Sequence, residues 1–176
     1  MKKIAAILLS SVLPLISMAQ TPKAAQREAM KKLDYMVGVW KGSGWVDGPE
    51  GRQNVIGTET VQSKLNGLAL LIEGKFRAKI PGQNEELVVH ETLAVLAFDE
   101  QAKKYEFRTY LASGSQGEYE LKLIDGGWQW GLPAPGGSVR FTFKLTDKGE
   151  WFEIGEFSQD GKTWRKFMEF TLSRAP

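Results

Sequence analysis

Two ionisable side chains are the strongest candidates for chemistry in this sequence. His90 is the single histidine of the chain, and a neutral imidazole accepts a proton, forms hydrogen bonds or binds a metal. Glu59 shares one face of an alternating segment with Val55, Val61 and Leu65. A carboxyl inside an apolar cavity has a raised pKa and serves as an acid or a base. His90 and Glu59 are therefore the candidate catalytic residues.

The alternation of residues does not fix where these side chains point. Both faces of the segment around His90 are mostly apolar, so its inner face cannot be assigned. On an inner face, His90 and Thr92 are polar groups in an apolar cup and are predicted ligand contacts; on an outer face, His90 lies on the barrel wall. Glu59 and Glu153, the latter on the face of Trp151, are expected to point outward where their strands twist or bulge.

Aromatic side chains are the next candidates for binding. Trp128 and Trp130 share a face in "GGWQWGLPAPGG", and Tyr105 and Phe107 share a face in "KKYEFRTYLA". Paired rings near a Pro/Gly-rich loop stack on a flat or apolar ligand. We predict that these four residues contact a ligand, with filling of the barrel core as the alternative for each ring.

The composition excludes several kinds of chemistry. The chain has no cysteine, which rules out disulfides, thiolate metal sites and a cysteine nucleophile. A single histidine excludes a His-rich metal centre, and no metal site is predicted. There is no G-x-S-x-G element and no phosphate-binding loop.

The N-terminus has the pattern of an export signal. Lys2 and Lys3 precede an apolar run and the S-x-A spacing of Ser17 and Ala19, which predicts a signal peptide over residues 1–19. No cysteine follows for a lipid anchor, so we expect a soluble periplasmic or secreted protein without a membrane anchor. Removal of Lys2 and Lys3 leaves 21 basic residues against 21 acidic ones. A neutral domain is a poor partner for nucleic acid.

The rest of the chain divides into one helical segment and a run of strands. Residues 20–36 carry a helical pattern, with Thr21 as the predicted N-cap and Pro22 as the first helical residue. Residues 37–176 alternate polar and apolar side chains with a period of two, as in Trp164, Met168, Phe170 and Leu172 near the C-terminus. Frequent Asn-Gly and Asp-Gly turns indicate hairpins. The predicted fold is all-β: an antiparallel up-and-down barrel of about ten strands.

Glycines and a tryptophan begin the first strand of this barrel. In "LDYMVGVWKGSGWV", Gly42 and Gly44 allow a bend and a close approach of neighbouring backbones. Trp40 is predicted to close the end of the barrel. Arg174, at the end of the last strand, is predicted to supply a cation for the Trp40 ring.

These motifs resemble those of a known superfamily. Gly38-Val39-Trp40 with Arg174 is similar to the pattern of the lipocalins and calycins. Together with "FDEQAKKY" and "SQDGKTWRKFMEFTLSR", it resembles a family of exported bacterial calycin-type barrels of unassigned function, similar in turn to the nitrobindins, which hold haem. The resemblance places the haem-ligating histidine in the C-terminal part, where this chain has none. Haem would require His90, and no cofactor is expected.

The leading hypothesis is therefore an exported lipocalin-like barrel that binds a small, largely apolar molecule. The alternatives are a barrel enzyme of cyclase, isomerase or hydrolase type that uses His90 or an inward glutamate as acid–base, and a filled barrel with a structural or interaction role. The sequence leaves open whether the barrels pair as a homodimer.

Overall fold

A computed structural model describes residues 24–49, 51–80, 82 and 85–176 of the 176-residue chain. The predicted signal peptide and the predicted cap at Thr21 and Pro22 lie outside these residues. The described part begins with helix α1 (Ala24–Lys31) and a 3-10 helix (Asp34–Met36). Among the described residues, no helix is long and apolar enough to cross a membrane.

Ten antiparallel strands follow within the described residues and close into one barrel. They are β1 (Gly38–Gly48), β2 (Gly51–Lys64), β3 (Ala69–Lys79), β4 (Glu86–Asp99), β5 (Lys104–Leu111), β6 (Gln116–Ile124), β7 (Gly127–Ala134), β8 (Gly137–Leu145), β9 (Trp151–Ser158) and β10 (Arg165–Arg174). Each strand pairs with its neighbours in the chain, and β1 pairs with β10, so no edge is left unpaired. The predicted fold class is confirmed.

The glycines of β1 sit where this closure is tightest. A Cβ at Gly42 would lie 2.1 Å from the carbonyl oxygen of Thr171, and one at Gly44 would lie 1.9 Å from that of Glu169. Any larger residue would therefore push β10 away from β1. The combination of tryptophan and glycine in β1 lets a bulky ring enter the lumen beside a strand that approaches closely.

One end of the barrel is closed by the N-terminal helices. Met30, Leu33 and Met36 are fully buried against Trp40. The Trp40 indole N–H donates to the carbonyl oxygen of Met36 at 2.8 Å, and the Tyr105 hydroxyl donates to that of Ala29 at 2.7 Å. We call this region the closed end.

Arg174 completes the closed end from the last strand. It pairs in register with Trp40, and its guanidinium carbon lies 4.2 Å from the centroid of the Trp40 ring. The same guanidinium donates to the carbonyl oxygens of Val37 and Tyr35. The arginine thus joins the end of the barrel to the segment that leads into its first strand.

Two irregularities shift side chains between the faces of the barrel. The register slips between Lys166 and Met168 on β10, so Phe167 is the extra residue of a bulge. As a result Trp164, expected on the inner face with Met168, lies outside, where the Arg140 guanidinium carbon stacks 3.9 Å from its ring centroid. A second slip on β4 leaves Val89 as the extra residue between Val88 and His90.

Candidate functional site

The lumen beyond the closed end is an open cavity of about 530 Å³. Its floor contains Trp151 and Trp128, both buried, with the Phe143 ring stacked on Trp128 at 5.1 Å between centroids. Val89 and His90 line the cavity and are also exposed to solvent, so the opposite end is its mouth. The described residues therefore enclose a cup with one closed end.

Aromatic rings form the wall of the cup on strands β5 to β8. Trp130 stacks on Phe141 at 4.7 Å and contacts Tyr119 at 4.8 Å and Phe107 at 5.1 Å between ring centroids. On the other side of the cavity, Phe76 stacks on Phe170 at 4.6 Å. Alternation brings these rings inward, since each occupies the lumen-facing position of its strand. The site therefore has aromatic rings on two sides.

Small residues on the inner face keep this space open. A Cβ at Gly57 would lie 2.2 Å from the Phe76 ring, and one at Gly117 would lie 2.1 Å from the Tyr119 hydroxyl. A Cβ at Gly74 would lie 2.6 Å from a carboxyl oxygen of Glu59 and 2.8 Å from the Thr92 hydroxyl. The bare backbone of Gly74 is what allows Glu59 and Thr92 to converge in the lumen.

Glu59 and Glu153 both face the cavity, which corrects the expectation that they point outward. Glu59 occupies an inner position of β2 between buried Val55 and Val61, and Glu153 follows buried Trp151 on β9. No bulge interrupts either segment, so the simple alternation holds there. Both side chains are partly exposed, but to the cavity, because protein atoms surround each carboxyl.

Burial raises the pKa of both carboxyls. The pKa of Glu153 rises from its ordinary value of 4.5 to about 7, mainly by desolvation, while a hydrogen bond from the Trp151 indole N–H at 2.9 Å opposes the rise. The pKa of Glu59 rises to about 8 by desolvation and by the nearby charge of Glu153. Because Glu153 loses its proton first, Glu59 titrates beside an existing negative charge.

His90 lies at the mouth of the cavity. It occupies the same inner face as Thr92, and its ring lies 6.0 Å from the Phe76 ring. Desolvation by these neighbours lowers the pKa of His90, although part of the ring remains exposed. The face that alternation could not assign is therefore the inner one.

The other predicted contacts are divided between the two regions. Trp128, Trp130, Phe107 and Thr92 line the cavity. Tyr105 does not, because its hydroxyl is held by Ala29 at the closed end and its ring packs against Phe98. Trp40 and Arg174 also lie at the closed end, away from the cavity lining.

Several lining residues were not predicted from the sequence. Thr109 and Tyr119 stand at inner positions of β5 and β6. Gln53, Ser115 and Gln116 join them as polar lining residues. Inner-face parity was the available signal for Thr109, Tyr119 and Gln53, whereas Ser115 precedes β6 and Gln116 begins it, so these two carry no such signal.

The residues present do not fit haem. The charged groups among the described lining residues are two carboxyls, and the lining contains no lysine or arginine to pair with anionic propionates. His90 stands at the mouth and not over the cavity floor. Among the described residues, no group of three or more histidine, aspartate and glutamate side chains is placed to hold a metal ion.

Comparisons with known proteins support the fold. No family model and no curated protein sequence matches the chain. The crystal structure of Rv2717c from M. tuberculosis aligns with a TM-score of 0.60 and 13% identity, over 84% of this chain and 98% of that one. The S-type phycobiliprotein lyase CPES from Guillardia theta aligns with a TM-score of 0.52 and 10% identity, over 84% and 93%. At these identities the likeness shows the fold alone.

Fold and cavity together define the class. A closed ten-stranded up-and-down barrel, plugged at one end by a short helix and hollow at the other, is a lipocalin-like fold. Such a fold is compatible with the binding of a small molecule.

Proposed function

We propose that this protein binds a small, largely apolar molecule inside the barrel. The observation that carries the proposal is the cavity of about 530 Å³ with an aromatic lining and an open mouth. Cavities of roughly 300–1,000 Å³ with a few polar groups among apolar walls are typical of small-molecule sites. A filled barrel would leave no such volume, so the purely structural alternative loses its main argument.

The predicted leader supports a location outside the cytoplasm. We propose that residues 1–19 are removed and that the barrel acts in the periplasm or after secretion. The mass of the mature protein recovered from the native host tests this point, since retention of Met1 would contradict it.

Ligand binding is tested by recovery and by blocking of the cavity. Native mass spectra of the purified protein, compared with a denatured solvent extract, should show a small molecule that the fold retains. A neutral apolar probe, 1-adamantanemethanol, should alter the fluorescence of the tryptophans that line the cavity. The dissociation constant of this probe then measures the affinity of the cavity for a neutral apolar molecule.

A matched pair of variants makes this test specific. Ala94 lines the cavity, whereas Val95 is its outward neighbour on β4. Ala94→Phe should weaken probe binding by about tenfold or more, because it fills part of the lumen, and Val95→Phe should leave binding unchanged. Equal binding by the two folded variants, or no binding by the wild type, would contradict the proposal.

A second candidate function is acid–base catalysis in the same cavity. Glu59 and Glu153 carry pKa values of about 8 and about 7, which suits proton transfer near neutral pH. The similar barrel named as a phycobiliprotein lyase lends this candidate support. Glu59→Gln would then abolish turnover of the recovered molecule by the folded protein, and the absence of any turnover by the wild type would favour simple binding.

A further inference from the structure

The charged side chains among the described lining residues are unusual for an apolar site, since both are carboxyls. Two carboxyls face the lumen, and the lining residues within the described chain include neither lysine nor arginine. Glu59 has no hydrogen-bond or ion-pair partner among the described residues, and Glu153 has one, the Trp151 indole. Both carboxyls line the cavity, where a ligand or water can reach them.

The other titratable groups in the lining do not neutralise this pair. His90 lies at the mouth with its pKa lowered, so it is neutral at pH 7. Tyr119 contributes a hydroxyl from β6. Once ionised, the two carboxylates therefore have no positive charge beside them within the described lining. Buried charges of this kind are costly unless they are paired.

The aromatic wall suits the same kind of partner as the carboxylates. The negative faces of indole and phenyl rings attract cations, and tryptophan attracts them most strongly. Trp130, Trp128 and Phe107 line the cavity that Glu59 and Glu153 share. Carboxylates and the faces of aromatic rings both attract positive charge and repel negative charge.

We propose that the ligand is an organic cation, a protonated amine on an apolar body, with its ammonium group held by Glu59 and Glu153. This inference rests on the proposed binding function and specifies its ligand class. Thr92 supplies a further acceptor beside Glu59 over Gly74. The apolar body packs between the Trp130 wall and the Phe76–Phe170 side, and anionic ligands such as fatty acids are excluded.

Binding of such a cation must displace protons from the cavity. Below pH 7 the carboxyls are largely protonated, so the ammonium group binds only as a carboxyl releases its proton to solvent. Affinity for an amine should therefore rise about tenfold per pH unit between pH 5 and pH 7 and level off above about pH 8. An amine similar to lysine keeps its own charge over this range.

Three probes of one shape separate charge from apolar burial. 1-Adamantanemethylamine, 1-adamantanemethanol and 1-adamantanecarboxylic acid share the same apolar body and differ in charge. We expect the amine to bind about 100-fold more tightly than the alcohol at pH 8, with the acid weakest. Calorimetry in buffers of different ionisation enthalpy should show proton release on amine binding at pH 6.

Isosteric variants assign the effect to the two carboxyls. Glu153→Gln and Glu59→Gln should each weaken amine binding by about tenfold or more, while alcohol binding stays within about threefold. Glu120→Gln is the matched control, because it removes the same charge from an exposed position on the outer wall. Glutamine replaces a neutral, protonated carboxyl, so both variants should fold.

The outcomes distinguish this inference from the proposed function. Alcohol binding equal to or tighter than amine binding, or amine affinity that does not rise with pH, would overturn the cation proposal alone. Failure of all three probes to bind would contradict the cation proposal and the binding function together.

Discussion

The closed end and the cavity of this barrel differ in whether their buried polar groups have hydrogen-bond partners. At the closed end, the Trp40 indole, the Tyr105 hydroxyl and the Arg174 guanidinium all donate to backbone carbonyls. In the cavity, Glu59 has no partner among the described residues, although protein atoms surround it. One half of the lumen satisfies its buried polar groups, and the other retains groups that lack partners.

This difference indicates which half of the lumen contributes to the stability of the fold. A buried polar group without a partner destabilises the fold by about 1–3 kcal/mol, and more when it is charged. Sequences keep such groups mainly at functional sites. The closed end contributes to stability, and the cavity sacrifices some of it, as expected if the cavity is the proposed binding site.

The largest expected effect is the loss of stability when a tryptophan in each of the two regions is replaced by alanine. Trp40→Ala should lower the free energy of unfolding by about 4 kcal/mol, because it removes a fully buried ring from a close-packed region. Trp130→Ala should cost about half as much, since its ring already borders empty space. Urea denaturation of both variants measures the difference, and equal losses would erase the contrast between the two halves.

An intermediate effect should come from pH. Glu59 has a folded-state pKa of about 8 against an ordinary 4.5. The folded state therefore binds the proton more tightly, so its stability is greatest below pH 4.5 and falls as pH rises to about 8.

The Glu59→Gln variant should lack this fall. The free energy of unfolding of the wild type should drop by ~3 kcal/mol relative to the variant over that window, since water in the cavity offsets part of the full desolvation cost. Taking the difference removes the titration of His90, which both proteins share. Parallel pH profiles for the two proteins would show that the Glu59 carboxyl is not desolvated.

The smallest expected effect is the change in stability when one tyrosine hydroxyl is removed from each of the two regions. Tyr105→Phe should lower stability by about 1 kcal/mol through loss of the bond to Ala29 and leave probe binding unchanged. Tyr119→Phe should leave stability nearly unchanged, because its hydroxyl faces the cavity. Thermal unfolding and probe titration of the pair measure both quantities, and the reverse pattern would place Tyr105 in the ligand site.

Prediction from sequence succeeded where one strand follows the period of two without interruption. The inner positions of β5 and of most of β10 were read correctly from alternation, as Phe107, Phe170 and Leu172 show. The prediction was wrong for Trp164. The bulge at Phe167 reverses which residues before it point inward, and this bulge arises in the pairing of β10 with β9. The prediction also failed at Glu153, which was expected outside although its alternation was regular.

The sequence by itself determined the barrel, because short turns and a period of two require antiparallel neighbours. Trp40, Gly42 and Gly44 also indicated how the barrel is closed at one end. Only the tertiary structure decided that Glu59 and Glu153, 94 positions apart in the chain, share one cavity whose described lining contains no lysine or arginine. The physical reason is that alternation records burial along a single strand, whereas curvature, bulges and closure decide which strands face one another.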